Sequence, residues 1–497
     1  MTVNYISQIY MAFIGLAVLP YYISLMGVEA YGLVGFFAML QAWFNLLDLG
    51  LTATISREAA KNGSGSVSNL AFRQLYRALG VVFFLFGCTG AIILLLLTDN
   101  IALNWLTVEK IEIKDVIFSL NVMVFCLLFR WLIGLFRGVL TGYEKFVWLS
   151  FYNLSFTSLR FLGVFIPMSY FGYSVKVFFI YQAVLASLEC MVIFFYVRKT
   201  LPKVEIKQIG WSLKPIKPVL YLSLSLSASS MIWVVAMQVD KLILSKTLNL
   251  SDYGYFTLGV LAANSVMLLT TPINSVLMPR FANLFSLNKY EELKIIYNKF
   301  TQLVVCIAGS LSFSLYFFSK EIMFIWTGDV NVSENSHEIM GLYALGNLFL
   351  AINLFPYFLQ YAKGDLRLYL IGNIIMLLIL IPSMYLISQR FGGKGAGYIW
   401  LFAHLLYFIF WVPVLHNKLK IIDHSKWLFS NVVKVLVPSF FLLMFCSQLY
   451  EFATVDRIFS FIMITLFSTI SLIISFLFSD EFNFKTKRFI KSKGINK

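Results

Sequence analysis

Charge is scarce in this chain. Of its 497 residues 13% are charged and 60% are hydrophobic, and the mean hydropathy is +0.81. A soluble protein carries about a quarter of its residues as charges to cover its surface, so lipid rather than water is expected around most of this one. Cysteine is scarce too. Cys88, Cys126, Cys190, Cys306 and Cys446 all lie in apolar stretches at no metal-like spacing, which reads as small buried hydrophobes and leaves no metal site to expect. There is no GxxxxGK[ST] phosphate loop and no HExxH, so neither ATP hydrolysis nor zinc proteolysis is indicated, and no cofactor is expected. No polar segment is long enough for a soluble catalytic domain. The first residues, MTVNYISQIY, lack a basic start and a small-residue cleavage site, and are expected to open a retained helix.

What is present is apolar sequence in membrane-length runs. A helix needs about 20 such residues to cross the hydrocarbon core. Fourteen stretches qualify: 6–26, 33–55, 76–98, 116–142, 146–171, 174–197, 218–239, 253–279, 301–325, 339–362, 368–389, 395–416, 432–450 and 458–479. Lipid forbids unpaired backbone, and the alternating pattern of barrel strands is absent, so these are expected to be helices.

The basic excess follows from topology. The net charge is +15 from 39 Lys and Arg against 24 Asp and Glu. With the N-terminus inside, the inner connections hold 25 of the 39 and the outer ones nine; Arg77, Arg130, Arg137, Arg160 and Lys434 lie within or at the mouths of helices. That asymmetry predicts both termini in the cytoplasm, and it explains the charge without nucleic acid as a partner. The tail FKTKRFIKSKGINK is either solvated or in touch with anionic lipid headgroups.

The chain repeats itself. YGLVGFFAMLQAWFNLLDLGLTATISR, Tyr31 to Arg57, is matched by YGYFTLGVLAANSVMLLTTPINSVLMPR, Tyr253 to Arg280, with an offset of 222 residues at Tyr-Gly. Each copy starts at an outer mouth, crosses once and ends at an inner Arg, six helices apart and in the same direction. The expected fold is therefore all-α and polytopic: two parallel six-helix lobes around a central cavity, residues 1–200 and 201–420, with two accessory helices and a basic tail in 421–497.

Polar residues within the expected spans are the candidates for function, because a central charge costs about 2.5–3.5 kcal/mol on insertion scales. Arg130 and Arg137 are seven apart on the fourth helix, and so are Asn153 and Arg160 on the fifth, so each pair shares a face. The three arginines suggest a cationic cavity for a phosphate or pyrophosphate, which guanidinium forks bind in bidentate fashion. The alternative is structural pairing with Glu189, Asp48 or helix-end carbonyls, and two acids would leave one cation over. Gln41, Asn45, Asp48 and Thr52 make a polar stripe on the second helix, echoed by Asn264, Thr271 and Ser275 on the eighth without the acid. Asp48 and Glu189 are candidates for ion coupling or for salt bridges, Asp48 with Arg137. Asp240 and Lys241, expected at the outer mouth of the seventh helix, are solvated anchors or a gate. Pro20 and Pro272 are candidate hinges. Trp43, Trp105, Trp148, Trp211, Trp326 and Trp427 sit near expected interfaces as an aromatic belt.

Two segments carry a family resemblance. LMGVEAYG followed by LLDLGLTATISREAAK, and VDKLILSKTLNLSDYGYFTLG followed by PINSVLMPRFANL, look like polysaccharide transporters of the multidrug/oligosaccharidyl-lipid/polysaccharide (MOP) exporter superfamily, in particular the O-antigen flippases. The motifs span about 31–61 and 239–284; the helix layout extends the likeness over most of the chain. The resemblance implies a transporter, not an enzyme, with a cationic lumen and alternating access. It implies an undecaprenyl-pyrophosphate-linked oligosaccharide as substrate, flipped to the periplasmic face of the bacterial inner membrane, with membrane lipids and other polysaccharide-assembly proteins as partners. Many members have twelve helices. Fourteen resembles the lipid II flippase branch, whose extra pair can house a lipid tail, though the motifs favour the polysaccharide branch. A multidrug exporter of the same fold would be expected to have an acidic cavity, against which the arginines speak. A membrane polymerase or ligase would be expected to have larger outer loops than 99–115 and 326–338.

Overall fold

A computed structural model describes residues 2–204, 216–449 and 456–480, and the basic tail and Trp211 lie outside them. The regular structure there is helical, relieved by a single β-bridge between Thr107 and Asn249. The protein is an all-α polytopic membrane protein. Eleven helices among the described residues are long and apolar enough to cross a bilayer. Three of the fourteen expected stretches are not counted as separate spans there. The stretches 368–389 and 395–416 lie in one run, Arg367–Leu419, which turns at Gly392 (φ 58°, ψ −142°). The side chains of α1 (Thr2–Met26) and of the helix Ile216–Thr247 are described only in part.

The chain forms two compact units, Met1–Gly254 and Tyr255–Lys497. In the first, the expected second span is not one helix. It consists of α2 (Val28–Phe44), a 3-10 turn Asn45–Asp48, left-handed Leu49 and Gly50, and α3 (Leu51–Gly63). Next come α4 (Asn69–Asn100), running on into a π turn Ile101–Trp105, and α5 (Ile113–Gly142). The fifth span is also broken, into α6 (Phe146–Phe161) and α7 (Phe165–Phe171), and α8 (Val175–Thr200) and α9 (Ile216–Thr247) complete the set. The eighth span turns at Asn264, between α10 (Leu250–Ala263) and α11 (Ser265–Ser286).

Glycines set two close approaches in the first unit. Gly134, Gly138 and Gly142 form a four-residue ladder on α5. A Cβ on Gly138 would lie 2.8 Å from the Thr52 carbonyl, and one on Gly142 2.2 Å from that of Ser56, so α3 and α5 touch backbone to side-chain-free backbone. The repeated Tyr-Gly pairs meet as well. A Cβ on Gly32 would lie 2.2 Å from the Leu250 carbonyl, and one on Gly254 2.5 Å from the Val28 carbonyl. Val28 and Leu250 are related by the same offset as the glycines, so the contact is reciprocal. That is the pattern two-fold symmetry requires, and it explains why both copies carry the glycine.

In the second unit α12 (Tyr290–Phe317), α13 (Ser319–Thr327) and α14 (Val330–Lys363) precede α15 (Arg367–Leu406), α16 (Val412–Leu419) and the short α17 (His424–Trp427). The accessory helices are α18 (Lys434–Leu449) and α19 (Arg457–Phe478). α14 is the central helix, with 83% of its most apolar window buried against 17% for α19. Serines tie the accessory helices to α12: Ser310 lies 3.3 Å from Ser475, and Ser468 donates to Ser314 at 2.8 Å. Trp427, expected at an interface, is instead buried against Tyr297 and His416.

Candidate functional site

Two of the three arginines, Arg130 and Arg160, meet in the first unit on adjoining helices, and Arg137 lies two turns along the same helix as Arg130. α3 grips the glycine face of α5, which leaves Arg130 and Arg137 on the neighbouring face. Arg130 donates from Nη1 to Gln41 Oε1 at 2.9 Å and from Nη2 to Gln182 Oε1 at 2.9 Å. Its guanidinium lies 5.1 Å from the centre of the Phe37 ring. The Gln182 amide in turn donates to the Arg160 carbonyl at 3.2 Å, so Arg130 and Arg160 share one layer, as their sequence depth predicts.

The arginines are held differently. Arg160 is in the last turn of α6, where the break after Phe161 exposes carbonyl ends that favour a cation. It forms a 2.8 Å salt bridge with the buried carboxylate of Glu189. Arg137 is exposed and donates to Asn153 Oδ1 at 2.8 Å. Neither Arg130 nor Arg137 has an acidic partner among the described residues. The Nε groups of Arg130 and Arg160 are buried without a hydrogen-bond partner.

Asp48 is the reason two cations are left over instead of the expected one. It does not reach Arg137. Its Oδ1 accepts from the Thr52 main-chain N–H at 3.0 Å and from Thr52 Oγ1 at 2.8 Å, closing the break that starts α3. A carboxylate is well placed at a helix N-terminus, where it meets unpaired N–H groups. Of the stripe on the second span, Gln41 joins Arg130, Thr52 joins Asp48, and Asn45 is exposed.

The remaining candidates lie apart from this cluster. Asn264 sits at its turn in the second unit and accepts from Asn347 at 3.3 Å, while the Thr271 hydroxyl bonds back to the Met267 carbonyl. The side chain of Ser275 lies outside the described residues. Asp240 and Lys241 are not at a helix mouth, because α9 continues to Thr247. Asp240 is fully buried and forms a 3.1 Å ion pair with Lys241. Pro20 and Pro272 lie inside continuous helix, and the nearby turn falls at Asn264. In the second half of α3, burial pushes the Glu58 carboxyl up, but hydrogen bonds and charge from Lys61 and Arg57 outweigh this and hold it below the usual range.

Sequence reasoning missed Gln182 as an arginine ligand and the glycine ladder that orients α5. The ladder had a signal, small residues every fourth position in GLFRGVLTG. Gln182 had only its place one heptad before Glu189.

Comparison with known proteins agrees with this architecture. The polysaccharide biosynthesis protein family matches residues 1–285. A Shigella flexneri protein named "Putative O-antigen transporter" is 22% identical over 381 residues, 76% of this chain and 87% of that protein. Among solved structures, the lipid II flippase MurJ in an inward closed conformation superposes with a TM-score of 0.75 at 15% identity, covering 96% of this chain and 98% of that one. An inward-facing multidrug resistance MATE transporter of the MOP superfamily gives 0.69 at 14% identity, over 84% and 98%. The chain has the MurJ/MATE fold and belongs to the polysaccharide biosynthesis protein family.

Proposed function

We propose that the protein flips undecaprenyl-pyrophosphate-linked oligosaccharide units, O-antigen in type, from the cytoplasmic to the periplasmic face of the bacterial inner membrane by alternating access. The supporting observation is the pair Arg130 and Arg137. Both lie within a membrane-spanning helix, and both donate to carboxamide oxygens and to no carboxylate among the described residues. Neutral acceptors orient a guanidinium without cancelling its charge, so the pair offers two positive charges to a pyrophosphate. The family and the relative's name point the same way.

In this reading Arg160 steadies the layer through Glu189. Asp48 and Glu189 remain the acids available for ion coupling, Asp240 and Lys241 form a gate, and Pro20 and Pro272 are bending points. Residues 1–200 and 201–420 act as lobes, 421–497 is accessory, and both termini face the cytoplasm. A deletion strain tests the function. Surface polysaccharide should vanish while finished lipid-linked units accumulate on the cytoplasmic face. Wild type should restore export, and Arg130→Ala, expressed to the same level in the membrane, should not. Units that cross normally but stay unpolymerised would instead make the protein an assembly enzyme, and accumulation of lipid II would move the substrate to the cell-wall precursor.

A further inference from the structure

A second cationic feature lies in the first unit, at the end carrying the α4–α5 connection. A groove of about 440 Å³ opens between α2, α4 and α9. Its inner part is apolar, with buried Phe36 and Met39 on one wall and exposed Leu97 on the other. Its rim is polar. The π turn Ile101–Trp105 widens the end of α4, and such turns recur at functional sites. Asn104 donates to Asn100 Oδ1 at 2.7 Å, and the Asn100 amide nitrogen donates to no protein group among the described residues. Trp105 is pinned by a 3.0 Å bond from Nε1 to Ser245, and the Lys246 ammonium lies 5.0 Å from the ring centre. Lys246 has no ion-pair partner among the described residues, and no acidic residue lines the groove.

We propose that this groove binds one anionic phospholipid, with its phosphate on Lys246 and Asn100 and the upper acyl chain along Phe36, Met39 and Leu97. An apolar floor leading to a polar, positive rim matches an amphiphile with an anionic head. Lys246 is the one cation lining the groove among the described residues, and one positive charge suits a phosphodiester, which carries one negative charge. The pyrophosphate of a lipid carrier matches the two arginines of the other site better. The inference does not rest on the flipping activity.

The test is native mass spectrometry of the delipidated full chain with dioleoyl-phosphatidylglycerol, dioleoyl-phosphatidylcholine or undecaprenyl phosphate added. One molecule of phosphatidylglycerol should be retained about fivefold more tightly than phosphatidylcholine, the contribution of one lysine near an anionic lipid. Lys246→Ala should bring the two lipids level, and Lys246→Arg should keep the preference. Lys110→Ala, at the same end but outside the groove, should also keep it. Leu97→Trp, which fills the apolar part and leaves the lysine in place, should lower retention. No preference in the wild type, a preference that survives Lys246→Ala, or displacement of phosphatidylglycerol by undecaprenyl phosphate would each overturn the proposal.

Discussion

The two units carry polarity of different kinds through the membrane. In Met1–Gly254 the layer around Arg130 contains two guanidinium groups and one carboxylate, and Arg137 lies two turns along α5. In Tyr255–Lys497 the central helix has no charged residue from Ile339 to Gln360, and its polar groups are neutral and bond to one another and to main-chain carbonyls, with Asn353 Oδ1 left without a partner among the described residues. Asn347 donates to the Ala263 carbonyl at 3.0 Å and accepts from Trp400 Nε1 at 3.1 Å, and Asn353 donates to the His404 carbonyl. Neutral amide bonds of this sort fix helix positions without leaving a charge. Carboxamides can orient a guanidinium, but its charge remains available to a ligand. The contrast is between a unit that keeps guanidinium charge uncancelled by carboxylates and one whose central polar groups are neutral.

Three substitutions would break or sharpen that contrast. The largest effect is expected for Glu189→Gln, which leaves Arg160 as a half-buried unpaired cation; loss of one partner of such a pair costs about 3–5 kcal/mol. Thermal unfolding in nanodiscs should show the loss, and adding Arg160→Gln should recover most of it. If the double variant unfolds as early as the single one, the pair does not act as a neutralised unit. Next comes Asn347→Ala, which strands the buried Trp400 N–H and should cost about 1–3 kcal/mol. Export per folded molecule should survive this change. A loss of export as deep as that of Arg130→Ala would mean the second unit's polar network handles substrate too. The smallest effect is expected for Ser439→Ala in the serine contacts between α18 and α19, about 0.6 kcal/mol for a hydrogen bond between membrane helices. A shift several times larger would show that the accessory helices depend on that ladder and not on apolar packing.

The arginine cluster was legible because seven-residue spacing puts Arg130 beside Arg137, and Asn153 beside Arg160, on any helix. Their partners were not legible. Asp48 was expected to reach Arg137, yet it bonds Thr52 only four residues on. It does so because the chain breaks at Leu49 and Gly50, and hydropathy runs unchanged through that break. The same holds at Leu162–Val164 and at Asn264, where a window of twenty residues sees one continuous span, whereas the turn at Gly392 falls where the sequence already separated 368–389 from 395–416. Asp240 was placed at a mouth because charge ends a hydropathy window, but a buried ion pair with Lys241 lets α9 carry it inward.

By itself the sequence determined the solvent, the all-α class, the expected spans and the Tyr-Gly repeat. Lipid imposes a length of about 20 apolar residues on every crossing, and a duplicated segment repeats its letters. Only the tertiary structure decided which cations are neutralised, where the spans break and why the repeat keeps its glycines. Those outcomes depend on which carboxylate, carboxamide or carbonyl arrives within about 3 Å of a given group. For Arg160 it is a carboxylate 29 residues away, for Arg130 two carboxamides 89 and 52 residues away, and for Gly32 the carbonyl of Leu250.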